Sequence, residues 1–132
     1  MAKQTLAAVT LVVPDYDVGL AYFTGVLGFD LIEDTDLGGG KRWVLVAPKG
    51  STACRLLLAR ATSDTQEAAI GNQTGGRVGF FLYTDDFDAD YAAYSEAGVD
   101  FQEEPREEPY GKVVVFRDAF GNLWDFIQPK GL

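Results

Sequence analysis

The chain has 132 residues, 47% of them hydrophobic and 13% aromatic, so it can bury a core of its own and is not typical of a disordered protein. Its 20 acidic and 11 basic residues give a net charge of −9, which argues against a nucleic-acid partner and favours neutral or cationic ligands. Histidine is absent and Cys54 is the single cysteine, which excludes Ser–His and Cys–His catalysis, thiolate-cluster zinc sites and internal disulfides.

The first part of the chain predicts one βαβββ unit. Residues 6–13 are apolar and β-branched, as in a strand, and the strand stops at Pro14. Asp15 can cap the following helix. That helix carries apolar residues at helical spacing on one face, namely Tyr16, Leu20, Phe23 and Leu27. Three further strands are predicted after Gly28, at residues 29–33, 42–47 and 52–60.

The second part repeats this pattern after a polar, glycine-bearing segment at residues 61–75, which predicts a linker. The helix cap and apolar stripe recur at one constant offset. The matching pairs are Asp15 and Asp86, Tyr16 and Phe87, Leu20 and Tyr91, and Phe23 and Tyr94. A strand at residues 78–84 precedes the second helix, as residues 6–13 precede the first. The sequence therefore predicts a single domain of two βαβββ units, at about residues 4–60 and 76–129.

The chain ends in a predicted hairpin that turns at Gly121 and Asn122, two residues that tolerate the left-handed conformation of tight turns. In the outgoing strand, residues 123–127, Asp125 lies on the face opposite Trp124. Before the hairpin, residues 103–109 are acidic, contain two prolines and predict a loop without strand character. A position beside a cavity would make this loop a lid that carries Tyr110.

Several short motifs occur in a fixed order along the whole chain. They are VPDY at 13–16, YF at 22–23, VLGF at 26–29, DDF at 85–87, AGV at 97–99 and FRDAFGNLWD at 116–125. Together they resemble the vicinal oxygen chelate superfamily of glyoxalases, bleomycin-resistance proteins, fosfomycin-resistance proteins and extradiol dioxygenases. The last motif resembles that family's F-x-D-P-x-G-N-x-x-E hairpin, with alanine for proline and aspartate for glutamate. The resemblance implies an α+β fold in which a curved mixed sheet half-encloses a cavity, and a homodimer of single-domain chains.

Metal-dependent members of that family hold a divalent ion with four side chains, one from the first and one from the fourth strand of each unit. The resemblance places these positions at Ala8, Leu57, Gly79 and Asp125, with Arg55 as the alternative register for Leu57. Only Asp125 has a side chain that could bind a metal. We therefore expect no metal and no other cofactor, which casts doubt on glyoxalase, dioxygenase and fosfomycin-transferase chemistry alike.

Without a metal, the candidate site is a sheet surface lined by large side chains. The predicted ligand-binding residues are Trp43, Arg55, Tyr83, Tyr110, Trp124 and Asp125. The face that Trp124 shares with Phe126 is also the one expected to pack on a helix. Asp125 is the sole candidate catalytic group, as an acid–base residue, or else a structural partner of Arg55 or Arg77. Cys54 is expected to be buried in its apolar strand.

The resulting prediction is a metal-free protein that binds a small cationic or aromatic molecule in a sheet-lined cavity. The alternative is a lyase, isomerase or dioxygenase of the glyoxalase type with an atypical metal site or with Asp125 as its acid–base group. A structural or regulatory role without a ligand is a third reading. No apolar run reaches the length of a signal peptide or a membrane span, which predicts a cytoplasmic protein without a membrane partner.

Overall fold

The computed structural model describes residues 2–131. Within that range the strands are β1 (Ala8–Val13), β2 (Asp30–Gly38), β3 (Lys41–Ala47), β4 (Arg55–Arg60), β5 (Phe80–Tyr83), β6 (Asp100–Phe101), β7 (Arg106–Glu108), β8 (Gly111–Arg117) and β9 (Leu123–Pro129). The helices are α1 (Tyr16–Leu20), α2 (Asp64–Ala69) and α3 (Phe87–Glu96), and a π-helical segment (Ala21–Val26) continues α1. None of the helices in this range is long and apolar enough to cross a membrane.

The chain divides into two compact units between Ala69 and Ile70, inside the segment predicted as a linker. The N-terminal unit contains a four-stranded sheet in the order β1-β4-β3-β2, and the C-terminal unit a sheet in the order β5-β9-β8-β6, with β7 also paired to β8. In each unit the first strand runs parallel to the last, and the other pairs are antiparallel. The predicted α+β class and the repeated βαβββ order are both present, and β7 is an addition in the second unit.

The helix of the N-terminal unit packs on one side of its sheet. The Asp15 carboxylate accepts a hydrogen bond from the backbone N–H of Val18 at 3.1 Å, which is the predicted helix cap. Gly19 is buried in α1, and a Cβ atom there would lie 3.2 Å from side-chain atoms of Leu58 and Val13. The side of the sheet that carries Leu58 and Val13 is therefore the one that α1 covers.

The helix of the C-terminal unit is built in the same way. Asp86 caps α3 by accepting from the backbone N–H of Ala89 at 3.3 Å. The Phe87 and Phe126 rings stack with centroids 5.3 Å apart, and the Tyr94 ring lies 5.4 Å from that of Phe126. The apolar stripe predicted from the repeat thus packs on the side of the sheet that carries Phe126.

Two sequence-based expectations are wrong in this part of the structure. Residues 106–108 form β7 and pair with β8, although the acidic segment predicted a loop. Pro105 and Pro109 flank this strand rather than interrupt it, so they remove no hydrogen bond from the ladder. Cys54 is exposed rather than buried, because β4 begins only at the following residue.

Candidate functional site

Each sheet has a side opposite its helix, which we call its far face. In β9, Trp124 and Phe126 point toward α3, so the alternating residues Asp125 and Ile127 lie on the C-terminal far face. The strand registers extend this face into two rows. The first row contains Arg106, Val113, Ile127 and Tyr83, and the second contains Val115, Asp125 and Phe81. The two rows lie about 7 Å apart along the strands.

The rows place polar and aromatic groups around an aliphatic centre. The centre consists of three aliphatic residues, Val113, Val115 and Ile127. Arg106 lies at one edge of this centre and two exposed aromatic side chains lie at the other. Those aromatic residues, Phe81 and Tyr83, are each 62% exposed. With a strand spacing of about 4.8 Å, β7 and β5 are roughly 14 Å apart. Val113 and Ile127 are buried, with 0% and 6% exposure, so a ligand can reach this face mainly at Asp125, Phe81 and Tyr83.

Asp125 is a half-buried carboxylate on this surface. Burial raises the pKa of its carboxyl above the usual range, Arg106 partly offsets that rise, and Glu103 adds to it. Among residues 70–131, no Arg or Lys nitrogen lies within 4.0 Å of the Asp125 carboxylate, so the predicted pair with Arg77 is not formed. Arg55, the other predicted partner, belongs to the N-terminal unit.

Arg106 is held by two glutamates. Its Nε donates to Glu103 Oε2 at 2.9 Å and its Nη1 donates to Glu108 Oε1 at 2.8 Å. Glu108, Glu103 and Tyr110 all raise the pKa of the Arg106 guanidinium, which is therefore always charged. The Arg106 side chain remains 40% exposed.

Two of the predicted ligand-binding residues, Tyr83 and Asp125, lie on the C-terminal far face, and Tyr110 lies beside Arg106 in the β7–β8 turn. The Tyr110 side chain is 52% exposed, and its backbone carbonyl accepts from the N–H of Lys130 at 3.0 Å. Because β7 pairs along β8, the segment before Tyr110 is part of the sheet rather than a separate lid.

Trp124 belongs to the core and not to the far face. It is 3% exposed and stacks on Phe80 and Phe116, with ring centroids 4.6 Å and 5.6 Å away. Its indole N–H donates to Asp118 Oδ2 at 2.9 Å. The polar atom of this tryptophan is thus satisfied inside the protein, and the residue does not line a surface site.

Trp43 and Arg55 lie on the N-terminal far face but are not neighbours. Leu45 of β3 pairs with Leu57 of β4 in antiparallel register, and Trp43 and Arg55 are two residues from this pair in opposite directions. Their backbones are therefore roughly 13 Å apart along the strands. Trp43 is 40% exposed and accessible to a ligand, but Arg55 is too far from it along the strands to form part of the same contact.

The residues at the family's metal positions do not form a donor set. Ala8 lies opposite Arg55, and the backbone N–H of Gly79 donates to the carbonyl of Leu123. Ala8, Leu57 and Gly79 offer no side-chain oxygen, nitrogen or thiolate. Within residues 2–131 there is no group of three or more Cys, Asp or Glu side chains that could hold a metal ion. The residues present do not fit a divalent metal centre of the family type.

A second acid of the closing hairpin, Asp118, has a structural role that was not predicted from the sequence. It is 4% exposed, and its Oδ1 accepts from the backbone N–H groups of Phe120 and Asn122 at 2.9 Å and 3.0 Å. Its Oδ2 accepts from Asn122 Nδ2 and Trp124 Nε1, both at 2.9 Å. The signal was present as the aspartate of the F-x-D motif, four residues before Asn122.

Arg106, Glu103 and Glu108 were also missed as site residues. Their charges alternate in a proline-flanked segment, a pattern that by itself indicates a solvated loop. No local signal could have identified Arg106, because its position on the same face as Asp125, two strands away, depends on the pairing of β7 with β8 and of β8 with β9.

Comparison with known proteins identifies the family and agrees with the fold. Residues 5–126 match the sequence profile of the Glyoxalase/Bleomycin resistance protein/Dioxygenase superfamily. An uncharacterised protein of Shewanella frigidimarina (strain NCIMB 400) is 50% identical over 127 residues, which cover 96% of this chain and 94% of that protein.

Two solved structures have a similar fold along nearly their whole length. The structure of UcmS2 superposes with a TM-score of 0.82 at 29% identity and covers 96% of this chain and 98% of its own. TnmS3, an antibiotic binding protein from Streptomyces sp. CB03234, superposes with a TM-score of 0.78 at 32% identity, with coverage of 98% and 99%. The chain belongs to the glyoxalase/bleomycin resistance protein/dioxygenase superfamily.

Proposed function

We propose that the protein binds a small aromatic molecule on the C-terminal far face, without a metal ion. The observation that carries this proposal is the pairing of Asp125, a half-buried acid, with Phe81, an exposed aromatic residue on the neighbouring strand. A planar ligand can contact the exposed rings of Phe81 and Tyr83 and direct a polar group toward the Asp125 carboxylate.

Exposure supports this choice of surface. Phe81 and Tyr83 lie one row apart on β5, and large apolar side chains grouped on a surface are typical of binding sites. The similarity to TnmS3, which is an antibiotic binding protein, favours a ligand of the antibiotic kind. The net charge of −9 leaves neutral and cationic ligands as the expected classes.

A thermal-shift experiment tests this function. Chelator-treated protein is mixed with cationic aromatic antibiotics, glutathione adducts and catechols, each with and without Zn²⁺ and Mn²⁺. We expect one of these classes to raise Tm equally in both conditions, since a ligand at 100 times its Kd stabilises the native state by about 2.7 kcal/mol.

Two variants and a metal assay complete the test. Asp125→Asn should reduce the shift, whereas Trp43→Phe on the other sheet should leave it unchanged. Stoichiometric metal that survives chelation, or a shift that requires added metal, would overturn the metal-free proposal.

A second candidate is an acid–base enzyme of the glyoxalase type with Asp125 as the proton-transfer group. The raised pKa of the Asp125 carboxyl favours it, because such shifts often mark catalytic acids and bases. Turnover of a glutathione hemithioacetal by metal-free protein, abolished in Asp125→Asn, would support the enzyme, whereas stable binding of the ligand without turnover would support the binding protein.

We further propose that the protein is a cytoplasmic homodimer. A second copy would cover exposed apolar side chains on β2, among them Leu31 and Leu37, which are 49% and 51% exposed. The exposed free thiol of Cys54 fits a reducing compartment. Light scattering after size-exclusion chromatography should give twice the chain mass, and a monomer at micromolar concentration would contradict the dimer.

A further inference from the structure

The guanidinium of Arg106 is held by its neighbours, which do not use all of its N–H groups. Nε and Nη1 are bound by Glu103 and Glu108, and the charged pairing makes both hydrogen bonds strong. The Tyr110 hydroxyl also accepts a hydrogen bond from this guanidinium. An arginine has five N–H donors, so these three contacts leave N–H groups available to a ligand. A planar guanidinium held on two sides presents the remaining N–H groups in a constant direction.

Glu103 also positions this guanidinium near Asp125. The same Oε2 atom that binds Arg106 accepts from the backbone N–H of Val115 at 3.3 Å. Val115 is the cross-strand partner of Asp125 in the β8–β9 pair. Arg106 and Asp125 are therefore linked through one glutamate and one strand pairing, and each is close enough for the charge of Arg106 to act on the Asp125 carboxyl.

The backbones of Arg106 and Asp125 are about 12 Å apart by register, two strands across and one row along. An arginine side chain directed toward Asp125 would cover about half of this distance, and the remaining gap would hold one polar group of a ligand with a hydrogen bond at each end. The guanidinium can only donate, whereas the ionised carboxylate of Asp125 can only accept.

We propose that Arg106 and Asp125 together select an uncharged aromatic ligand that carries a carbonyl oxygen and an adjacent N–H or O–H donor. The carbonyl accepts from the Arg106 guanidinium, and the donor binds the Asp125 carboxylate. This inference rests on the proposed function, and it names Arg106 as the residue that determines specificity. A purely cationic ligand is attracted to the Asp125 carboxylate but is repelled by Arg106. An anionic ligand is attracted to Arg106 but is repelled by the Asp125 carboxylate.

Three naphthalene probes separate these chemistries. They share one ring system and differ in the polar group: 2-naphthamide has an acceptor and a donor, 2-naphthylmethylammonium has donors only, and 2-naphthoate has acceptors only. Fragments of this size bind weakly, so each is titrated to millimolar concentration into ¹⁵N-labelled protein, with the amide signals of Val115 and Asp125 as reporters. We expect 2-naphthamide to bind the native protein at least threefold more tightly than the other two.

The variants assign this preference to Arg106. Arg106→Met should weaken 2-naphthamide binding about tenfold and leave the ammonium probe unaffected or tighter. Arg117→Met is the matched control: Arg117 is an exposed arginine on the same far face, one strand and one row from Asp125, but the charges that shift the pKa of the Asp125 carboxyl are those of Arg106 and Glu103. It should change the affinity for 2-naphthamide by less than twofold. Arg106→Lys is a second variant, used in case the methionine variant loses the pairing of β7 with β8. It keeps the positive charge, and we expect it to weaken 2-naphthamide binding about fivefold.

The possible failures are distinguishable. If 2-naphthamide binds at the reporters with equal affinity in native and Arg106 variants, or if the ammonium probe binds more tightly than the amide, this inference is wrong and the proposed function stands. A concentration of 5 mM is about the weakest affinity expected for fragments of this size. If no probe perturbs the amide signals of Val115 or Asp125 at that concentration, both this inference and the proposed function are overturned.

Discussion

In the N-terminal unit, the register pair Thr10 and Leu57 lies on the far face, whereas the corresponding strands of the C-terminal unit place Phe81 opposite Asp125. In both sheets the first strand of the unit lies next to its last strand, and the earlier strands follow in reverse order. The helix-facing residues repeat between the units, but the far-face residues do not. The repeated residues therefore maintain the fold, and the chemistry is concentrated on the far face of the second unit.

This difference separates residues that stabilise the fold from residues that bind a ligand, and the predictions below test that separation. The first concerns the two acids of the closing hairpin. Asp118→Ala should lower the free energy of unfolding by about 3 kcal/mol, because it leaves buried N–H groups of the turn without an acceptor. Urea denaturation measures the change.

Asp125→Ala serves as the control for that prediction, and it should alter the stability by less than about 1 kcal/mol. Equal losses for the two variants would mean that Asp125 is also part of the structural framework, and the contrast between the two acids would fail.

The second prediction concerns the close contact between the closing turn and the segment before β5. Gly71 has φ +70°, and a Cβ atom there would overlap the carbonyl oxygen of Phe120. Gly71→Ala should therefore lower the free energy of unfolding by about 3 kcal/mol, of which 1–2 kcal/mol reflects the left-handed backbone.

Gly75→Ala is a matched control, because Gly75 has φ +69° and nothing within 4 Å of the added atom. It should lose only the backbone contribution, about 1–2 kcal/mol. Thermal or urea unfolding measures both variants. Identical destabilisation would show that the Phe120 contact is relieved without cost.

The third prediction compares the aromatic residues of the two far faces. Tyr83→Ala should weaken 2-naphthamide binding about fivefold, since an aromatic contact contributes roughly 0.5–1.5 kcal/mol. Trp43→Ala removes a larger ring from the N-terminal far face and should leave this affinity unchanged. A greater loss for Trp43 than for Tyr83, measured by NMR titration, would place the site on the other unit.

The smallest expected effect is the pH dependence of Asp125→Asn. Because burial raises the pKa of the native carboxyl above its usual range, the native state holds this proton more tightly than the unfolded state. Stability is therefore lost as the pH rises from the pKa of the unfolded state to the raised pKa of the native state. Asparagine cannot ionise, so the variant should have a Tm about 2 °C higher at pH 7.

Measurement at pH 3 is the internal control, since Asp125 is then protonated in both states and the difference in Tm should disappear. A variant that is less stable than the native protein at pH 7 would show instead that the ionised carboxylate has a stabilising partner.

The topology was predictable because it depends on local patterns. The cap at Asp15 and its repeat at Asp86 indicated both helices, and the alternation around Asp125 identified its face of the strand. These signals concern neighbours along one element, which the periods of helix and strand place without reference to the rest of the chain. The partial prediction of the site has the same origin, since Tyr83 and Asp125 were identified from their own strands.

What sequence alone determined was therefore the repeated α+β fold, the family and the isolation of Asp125 among positions without metal ligands. Tertiary structure decided which groups surround that acid. Trp124 is buried because α3 covers its side of the sheet, and Arg106 lies on the same face as Asp125 because β7 pairs with β8. The alternation of side chains along a strand determines which face of the sheet a residue occupies. Only the long-range pairing of strands determines which strand lies next to it.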